Sequence, residues 1–294
     1  TLPPSADTEP VTPAGTVAQV GTPTAAAYQR AATLLDNVPA ELLDRVRRPD
    51  SVVPVLLGLL LSSQPDVRAR QQAALTSCYG TAVAEAAAGE ADKLTHLHPL
   101  LRLPVVELAA PVLRGLPQPE RDSVMRCVKA LIEADGRLSV SEYCLARLLH
   151  RELYESAHRA PPWGQRHHGL AASQGAVAVL LATLAGVGHA DHRAAVEAFR
   201  AGLNRVLPDA ELAYRPPGRG VLDLETAWAA LDGLGPADKS RLVEAMVTVI
   251  SHDGVMTLAE FELLRTICAI LHCPLPAVVD QPRLPASADP PRTR

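Results

Sequence analysis

The sequence predicts an all-α protein, and three features of the chain support this prediction. Apolar residues form 48% of the 294 residues, whereas aromatic residues form only 3%. Most of the apolar residues are Ala, Leu and Val, a composition that favours helices and offers little to strands. Helical periodicity of the apolar residues dominates between the two ends of the chain. Together these features predict roughly ten helices, arranged as hairpins.

Short polar or proline-bearing junctions separate the predicted helices. In chain order they are NVPAE, RRPDS, SSQPD, LPQPE and LGPAD, and each contains residues that end one helix and begin the next. Two longer irregular stretches, 158–169 and 214–220, are predicted to be loops between hairpins. The apolar run VVPVLLGLLL at 52–61 contains Pro54 and is too short to cross a membrane, so it predicts a core helix. No transmembrane segment is therefore expected.

Composition divides the chain into four regions. Residues 1–22 are rich in Pro, Thr, Ala and Gly without an apolar period, and they predict a disordered linker. Residues 280–294 have the same character and predict a disordered tail. Residues 23–111 predict a helical domain, and residues 112–279 predict a domain built from a duplicated helical hairpin. The chain begins with Thr rather than Met, which indicates a processed chain or the tail of a longer one.

Charge, cysteine content and missing motifs disfavour several functional classes. The net charge of -4 offers no basic surface for a phosphate backbone, so no nucleic-acid partner is expected. The five cysteines are scattered without a C-x-x-C pair, which predicts reduced, mostly buried thiols in a reducing compartment. Neither a G-x-S-x-G motif nor a Gly-rich phosphate loop is present, so no catalytic residue is predicted. The histidines of HADH at 189–192 are expected to be exposed.

A duplicated segment is the strongest internal feature of the sequence. Residues 115–149 align with residues 233–267 without a gap, at an offset of 118 residues, the separation of Asp135 and Asp253. Both copies contain Asp-Gly followed by a Glu six residues after the Gly, and both have apolar residues at steps of three and four before it. Each copy predicts helix, tight turn, helix. Two such hairpins can bury their apolar stripes by facing each other in a pseudo-two-fold bundle.

The Asp-Gly-x5-Glu spacing admits three interpretations, of which a standard calcium loop is excluded first. An EF-hand loop needs an oxygen ligand at its first position and a Gly at its sixth position, five residues later. In this register the first position holds Leu131 in one copy and Val249 in the other. Neither side chain can coordinate calcium.

Helix capping explains the same residues without a ligand. Ser139 stands three residues before Glu142, and Thr257 stands three residues before Glu260, the spacing of a capping box. The glycines of the two turns are predicted to be left-handed residues that end the preceding helix. The third interpretation adds a divalent cation to these caps. In it, four carboxylates meet across the pseudo-two-fold axis and bind the ion through oxygen: Asp135, Glu142, Asp253 and Glu260.

The paired motifs LIEADGRLSVSE and VISHDGVMTLAE resemble those of the TerB-like fold. The resemblance covers roughly residues 112 to 280 and implies an all-α domain whose paired acidic motifs are associated with divalent-metal binding. The second copy departs from the pattern because His252 replaces the Ala that precedes Asp253. On this resemblance the alternative function is a TerB-like divalent-metal-binding module.

A wider resemblance covers nearly the whole chain. The order of the Pro-rich tether, PAELLDRVRRPDSVVPVLLGLLLSSQPDVRARQ, HPLLRLPVVELAAPVLRGL, the first acidic motif and ILHCPLP looks like the C-terminal region of bacterial HtpX-like membrane zinc metallopeptidases. In that family a membrane-anchored catalytic domain with H-E-x-x-H precedes this region. The present chain contains no His-Glu dipeptide, so it lacks the zinc ligands and the general base of that motif.

This resemblance implies a non-catalytic regulatory or interaction region. It would act in proteolysis and membrane-protein quality control, as a soluble part on the cytoplasmic side of a membrane-anchored bacterial protein. Its expected partner is another protein or its own peptidase domain. Zinc is expected only in the upstream catalytic domain, and the candidate cofactor of the chain itself is a divalent cation at the paired acidic motifs.

Overall fold

The computed structural model describes residues 8–10, 37–134, 136, 138–155 and 168–273. Within these ranges the chain forms twelve α-helices and one two-stranded sheet, which confirms the all-α prediction. The first six helices are α1 (Ala40–Val46), α2 (Val52–Gly58), α3 (Pro65–Tyr79), α4 (Thr81–Leu94), α5 (Arg102–Gly115) and α6 (Gln118–Glu133). The other six are α7 (Val140–His150), α8 (Gln174–Gly188), α9 (His192–Val206), α10 (Trp228–Asp232), α11 (Pro236–Ile250) and α12 (Leu258–Ile270).

Shorter helical segments connect several of these helices. They are the 3-10 turns Pro99–Leu101, Leu170–Ser173 and Gly220–Thr226, and the π-helical turn Arg151–Glu155 that continues α7. The predicted loop at 214–220 therefore leads into a helical turn. Residues 158–167 of the other predicted loop lie outside the described residues, and the description resumes at His168.

The helices of the predicted N-terminal domain pack on those of the duplicated domain around one core. Helix α2 packs against α4 and α5, and α3 packs along α6. Helix α5 runs without interruption through the predicted boundary between residues 111 and 112, and it contacts α1, α2 and α7. The buried apolar residues of both predicted domains belong to a single cluster, so the two regions share one hydrophobic core.

The duplicated hairpins occupy the centre of this arrangement. Helices α6 and α7 form the first hairpin, and α11 and α12 form the second. The second helices of the two hairpins, α7 and α12, pack against each other. Helix α3 lies on α6, whereas α9 lies on α11 and α8 contacts both helices of the second hairpin.

The sheet joins the N-terminal region to the second hairpin. Strand β1 (Thr8–Pro10) pairs antiparallel with β2 (Val255–Thr257), which precedes α12. The three residues of β1 fall inside the stretch 1–22 that we predict to be a disordered linker. The other residues of that stretch and the predicted tail at 280–294 lie outside the described residues.

Among the residues that the structure describes, one helical stretch is long and apolar enough to cross a membrane, by length and composition alone. It is Leu170–Gly188, with 19 residues and a mean hydropathy of 1.8, and half of its apolar window is buried inside the protein. The expectation of no transmembrane segment rests on the run at 52–61 and overlooks this stretch. Core helices of proteins without a membrane domain share these features, so the stretch is weak evidence for a membrane span.

Candidate functional site

Both predicted capping boxes are present and have the same geometry. In the first hairpin the Ser139 backbone N–H donates to Glu142 Oε2 at 2.9 Å, and the Glu142 N–H donates to Ser139 Oγ at 3.2 Å. In the second, the Thr257 N–H donates to Glu260 Oε2 at 2.7 Å, and the Glu260 N–H donates to Thr257 Oγ1 at 3.2 Å. Each box satisfies two backbone donors at the start of a helix.

The glycines of both turns adopt the left-handed conformation that the sequence predicts. The φ angle is 71° at Gly136 and 80° at Gly254. A residue with a Cβ is strained in this region, and glycine is not. Capping and turn geometry thus account for the Gly, the Ser or Thr and the Glu of the duplicated motif.

Three of the four predicted metal ligands lie in the described part of the chain, and two of these, Asp253 and Glu260, are near each other. Asp253 is exposed, and its Oδ1 accepts from the Val255 N–H at 3.0 Å. Asp253 lies near enough to the buried Glu260 to raise the pKa of that carboxyl. Glu142 instead lines a cavity of about 440 Å³ between the N-terminal helices and the start of α7.

Asp135 lies outside the described residues, so the four-carboxylate cation site stays a prediction. Among the residues that the structure does describe, no group of three or more His, Cys, Asp or Glu side chains is arranged to hold a metal ion.

The carboxyl of Glu260 is buried against the end of α8. Glu260 is 2% exposed. A Cβ added at Gly188 would overlap Glu260 Oε1, so α12 packs closely on α8 where α8 has a glycine. Burial raises the pKa of Glu260, and the charge of Asp253 adds to the rise, while the hydrogen bonds from Thr257 and the charge of His189 oppose it.

Of the two HADH histidines, His192 is exposed as expected, whereas His189 is buried near Glu260. The residue is 7% exposed, and its Nδ1 is 3.3 Å from the Ala185 carbonyl oxygen. Its Nε2 is buried without a hydrogen-bond partner among the described residues. The ring of His252 is 6.1 Å away, centroid to centroid. Sequence reasoning missed His189 because it follows the α8 C-terminus, and only tertiary packing buries it.

A groove of about 690 Å³ opens on the first hairpin, between α6, α7 and the 3-10 turn Gly220–Thr226. Its apolar wall consists of Met125, Val128, Ile132, Leu138, Ala146 and Leu222. Leu222 is 39% exposed and is one of only two large hydrophobic residues that are exposed in the described part of the chain. The rim of the groove carries charges of both signs, including Lys129, Glu133 and Arg219.

A polar network closes one end of this groove. The Tyr143 hydroxyl donates to Glu225 Oε1 at 2.8 Å, and the Trp228 indole N–H donates to the same oxygen at 3.1 Å. The guanidinium carbon of Arg147 lies 5.8 Å from the centre of the Trp228 ring. Burial raises the pKa of the Tyr143 hydroxyl, and the nearby Glu225 charge acts in the same direction. The network fixes the 3-10 turn, and with it Leu222, against α7.

In the described part of the second hairpin, the residues equivalent to the groove's α6 wall are buried. At an offset of 118 residues, Met125, Val128, Lys129 and Ile132 correspond to Val243, Met246, Val247 and Ile250. All four residues of the second hairpin are at most 1% exposed, whereas in the first hairpin only Val128 is buried, Met125 and Ile132 are partly exposed and Lys129 is exposed. Helix α8, which is mostly apolar, contacts both α11 and α12. The second hairpin is covered from within the chain.

Comparisons with known proteins give no assignment. No protein-family model matches this chain, and neither the curated proteins nor the solved structures contain a match to it.

Proposed function

We propose that this chain is a non-catalytic interaction module that binds an apolar segment of a protein partner in the groove of the first hairpin. The observation that carries this proposal is the contrast between the hairpins. Two copies of one motif are present, and the face that is covered in the second copy is open in the first. A segment with an apolar face would bury the open wall much as the chain's own helices bury the second hairpin.

The distribution of polarity in the groove supports a protein segment as the ligand. The wall is apolar at its centre, and charged side chains of both signs surround it. Protein interfaces commonly combine an apolar centre with a polar rim. Leu222 projects from the rim with 39% of its surface exposed, so a partner would gain apolar contact there without rearrangement of the core.

We further propose that the module belongs to a larger membrane zinc metallopeptidase of the HtpX-like kind, where it binds a protein substrate, a regulator or the peptidase domain itself. The order of segments in the sequence supports this assignment, and because the chain contains no His-Glu dipeptide, it would be the part of such a protein without the active site. Zinc and the catalytic base would then come from the upstream domain, on the cytoplasmic side of the membrane. The chain itself would contribute recognition.

The groove can be tested with a displayed library of random peptides and two matched variants. Leu222 and Val255 are the two exposed large hydrophobic residues of the described chain, and only Leu222 lines the groove. We expect selected peptides to carry apolar anchors and to bind Leu222→Asp at least about tenfold more weakly than the wild type. Binding to Val255→Asp should be unchanged. Fluorescence anisotropy of labelled peptides measures both affinities.

Two outcomes would contradict the groove. One is that no selected peptide loses affinity for Leu222→Asp. The other is that Val255→Asp loses as much affinity as Leu222→Asp, because that result would indicate a general response to surface charge. Circular dichroism of both variants checks that each retains its helices, and both substitutions are at exposed positions where they should be tolerated.

We propose divalent-cation binding as the second candidate function. It is favoured by the proximity of Asp253 to the buried carboxyl of Glu260, together with the paired acidic motifs. Calorimetric titration with calcium, magnesium and zinc tests it, with Asp135→Ala and Asp253→Ala as variants. An absence of binding, or binding that both variants leave unchanged, would reject this candidate and would not affect the groove.

A further inference from the structure

Three contacts fix helix α3 antiparallel to helix α6. Near the start of α3, Arg70 Nε donates to the Ala134 carbonyl oxygen at 2.8 Å, and Gln71 Nε2 donates to the Leu131 carbonyl oxygen at 3.2 Å. At the other end of α3 the Tyr79 hydroxyl is 3.5 Å from the Glu120 carbonyl oxygen. Residue numbers therefore rise along one helix as they fall along the other.

This register brings two cysteines together. Cys78 is on the last turn of α3, and Cys127 is on the turn of α6 that lies between the contacts at Glu120 and Leu131. Cys78 follows Gln71 by seven residues and Cys127 precedes Leu131 by four, so both cysteines lie on the faces along which α3 and α6 pack. The Cys78 thiol also contributes to the raised pKa of the Cys127 thiol. They differ in accessibility, because Cys78 is exposed and Cys127 is completely buried.

We propose that Cys78 and Cys127 form a peroxide-sensitive thiol pair that closes to a disulfide between α3 and α6. Both thiols are reduced in the structure. A pair with one accessible thiol and one resolving thiol beside it is the arrangement of a redox-sensitive site. In a reducing compartment such a disulfide would be transient, which suits a regulatory modification better than a permanent cross-link.

Accessibility assigns the two roles. Hydrogen peroxide is the oxidant, and it reaches the exposed Cys78 thiolate first. The sulfur attacks one peroxide oxygen, the O–O bond breaks, and the leaving hydroxide takes up the proton that the Cys78 thiol released, so the products are a Cys78 sulfenic acid and water. The Cys127 sulfur then attacks the Cys78 sulfur, the S–O bond breaks, and a second water leaves with the Cys127 proton. Cys78 and Cys127 together give up two electrons and two protons, and these convert one hydrogen peroxide to two waters.

Cys127 fits the second role better than the first. Burial raises the pKa of its thiol to about 12, so it is rarely a thiolate in the folded protein. The three other cysteines are alternatives that the experiment must separate. Cys144 and Cys268 are buried, and Cys273 is half-buried near Cys268, so a disulfide between Cys268 and Cys273 is the main competitor.

Peptide mapping distinguishes these disulfides because trypsin places the cysteines in different peptides. Cleavage after Arg and Lys gives Cys78 in residues 71–93 and Cys127 in residues 127–129. Cys144 falls in residues 138–147, while Cys268 and Cys273 share residues 266–283. The protein is treated with hydrogen peroxide, its remaining thiols are alkylated, and the digest is analysed by mass spectrometry without reductant.

We expect a cross-linked species of peptides 71–93 and 127–129 that is lighter than their sum by two hydrogens. It should disappear after reduction and should be absent from Cys78→Ser, whereas Cys273→Ser should retain it. Cys78→Ser is the principal variant because a substitution at this exposed position should leave the fold intact. The disulfide would also restrict the unfolded chain across a loop of about 50 residues, so the unfolding midpoint should rise without reductant.

Three results would overturn the proposal. The first is peroxide treatment that yields only sulfinic or sulfonic acid at Cys78. The second is an internal disulfide within residues 266–283 and none between residues 71–93 and 127–129. The third is a disulfide-linked dimer through Cys78 as the only cross-linked product on a non-reducing gel. The groove and its peptides have no role in these measurements, so this inference and the proposed function can fail independently.

Discussion

The two hairpins share one motif but differ in what covers them. Met125 and Ile132 of the first hairpin are partly exposed in the groove, whereas their counterparts Val243 and Ile250 are completely buried. The motif dictates the turn, the cap and the apolar stripe in both copies. Whether the stripe is buried depends on the neighbouring helices, and α8 and α9 are the neighbours of the second hairpin. The comparison separates what a local sequence determines from what tertiary packing determines.

The caps differ in the same way. Ser139 is exposed and Glu142 is partly exposed, whereas Glu260 is buried against the end of α8. The hydrogen bonds within the two boxes are nearly identical in length. An identical local motif therefore functions in two different dielectric environments. Four pairs of matched substitutions, one in each hairpin, test this distinction.

The largest difference is expected for the equivalent isoleucines. Ile250→Ala removes a completely buried side chain and should lower the free energy of unfolding by about 2–5 kcal/mol. Ile132→Ala should cost only about 1 kcal/mol, because Ile132 lines the groove and is partly hydrated already. Urea denaturation followed by circular dichroism gives both values. Equal losses would mean that the groove is closed in solution and would remove the contrast between the hairpins.

The caps should give the next largest difference. Thr257→Ala removes the hydroxyl that donates to the buried Glu260 carboxylate at 2.8 Å, and we expect a loss of about 2 kcal/mol. Ser139→Ala removes the equivalent hydroxyl, which donates to Glu142 at 2.6 Å in a more hydrated setting, and should cost about 1 kcal/mol. Thermal and urea unfolding measure the two losses. A larger loss for Ser139→Ala would show that burial does not strengthen the second cap.

The features that sequence predicts correctly are local. The capping boxes depend on residues three positions apart, and the left-handed glycines depend on a single turn, so spacing alone identifies them. The all-α class follows from composition and periodicity in the same way. None of these features requires knowledge of which helices are neighbours.

The features that sequence analysis missed depend on distant residues. Tyr143 and Glu225 meet at the end of the groove although they are 82 residues apart. His189 approaches Glu260 because α8 ends beside α12, and no pattern near either residue indicates this. One signal was present in the repeat itself. Lys129 and Val247 occupy equivalent positions of the repeat. A Lys in one copy and a Val in the other indicate that this position faces solvent in the first copy and is buried in the second.

A pH dependence should distinguish the two capping glutamates. Burial raises the pKa of Glu260 above its ordinary value of 4.5, so the folded protein holds this proton more tightly than the unfolded chain. The associated stability is complete below about pH 4.5 and is lost as the pH rises through the raised pKa. Glu260→Gln keeps a capping side chain and removes this loss.

The measurement is the free energy of unfolding of Glu260→Gln and the wild type between pH 4 and pH 8. We expect Glu260→Gln to gain stability relative to the wild type as the pH rises, by less than the caps contribute. Glu142→Gln is the matched control in the partly exposed cap, and its gain across the same range should be smaller. Parallel curves for the two variants would contradict the difference in burial.

The smallest difference is expected for the two turn glycines, which test whether the hairpins are locally equivalent. A Cβ at Gly136 or at Gly254 would meet no atom within 4 Å, so packing does not oppose Ala at either position. Both glycines have positive φ, and the cost of Ala should come from the left-handed backbone alone, about 1 kcal/mol at each site. Equal losses in urea denaturation would confirm that the turns are equivalent and that the hairpins differ only in what packs on them. A loss confined to Gly254→Ala would instead place part of the difference in the turn itself, where β2 begins one residue later.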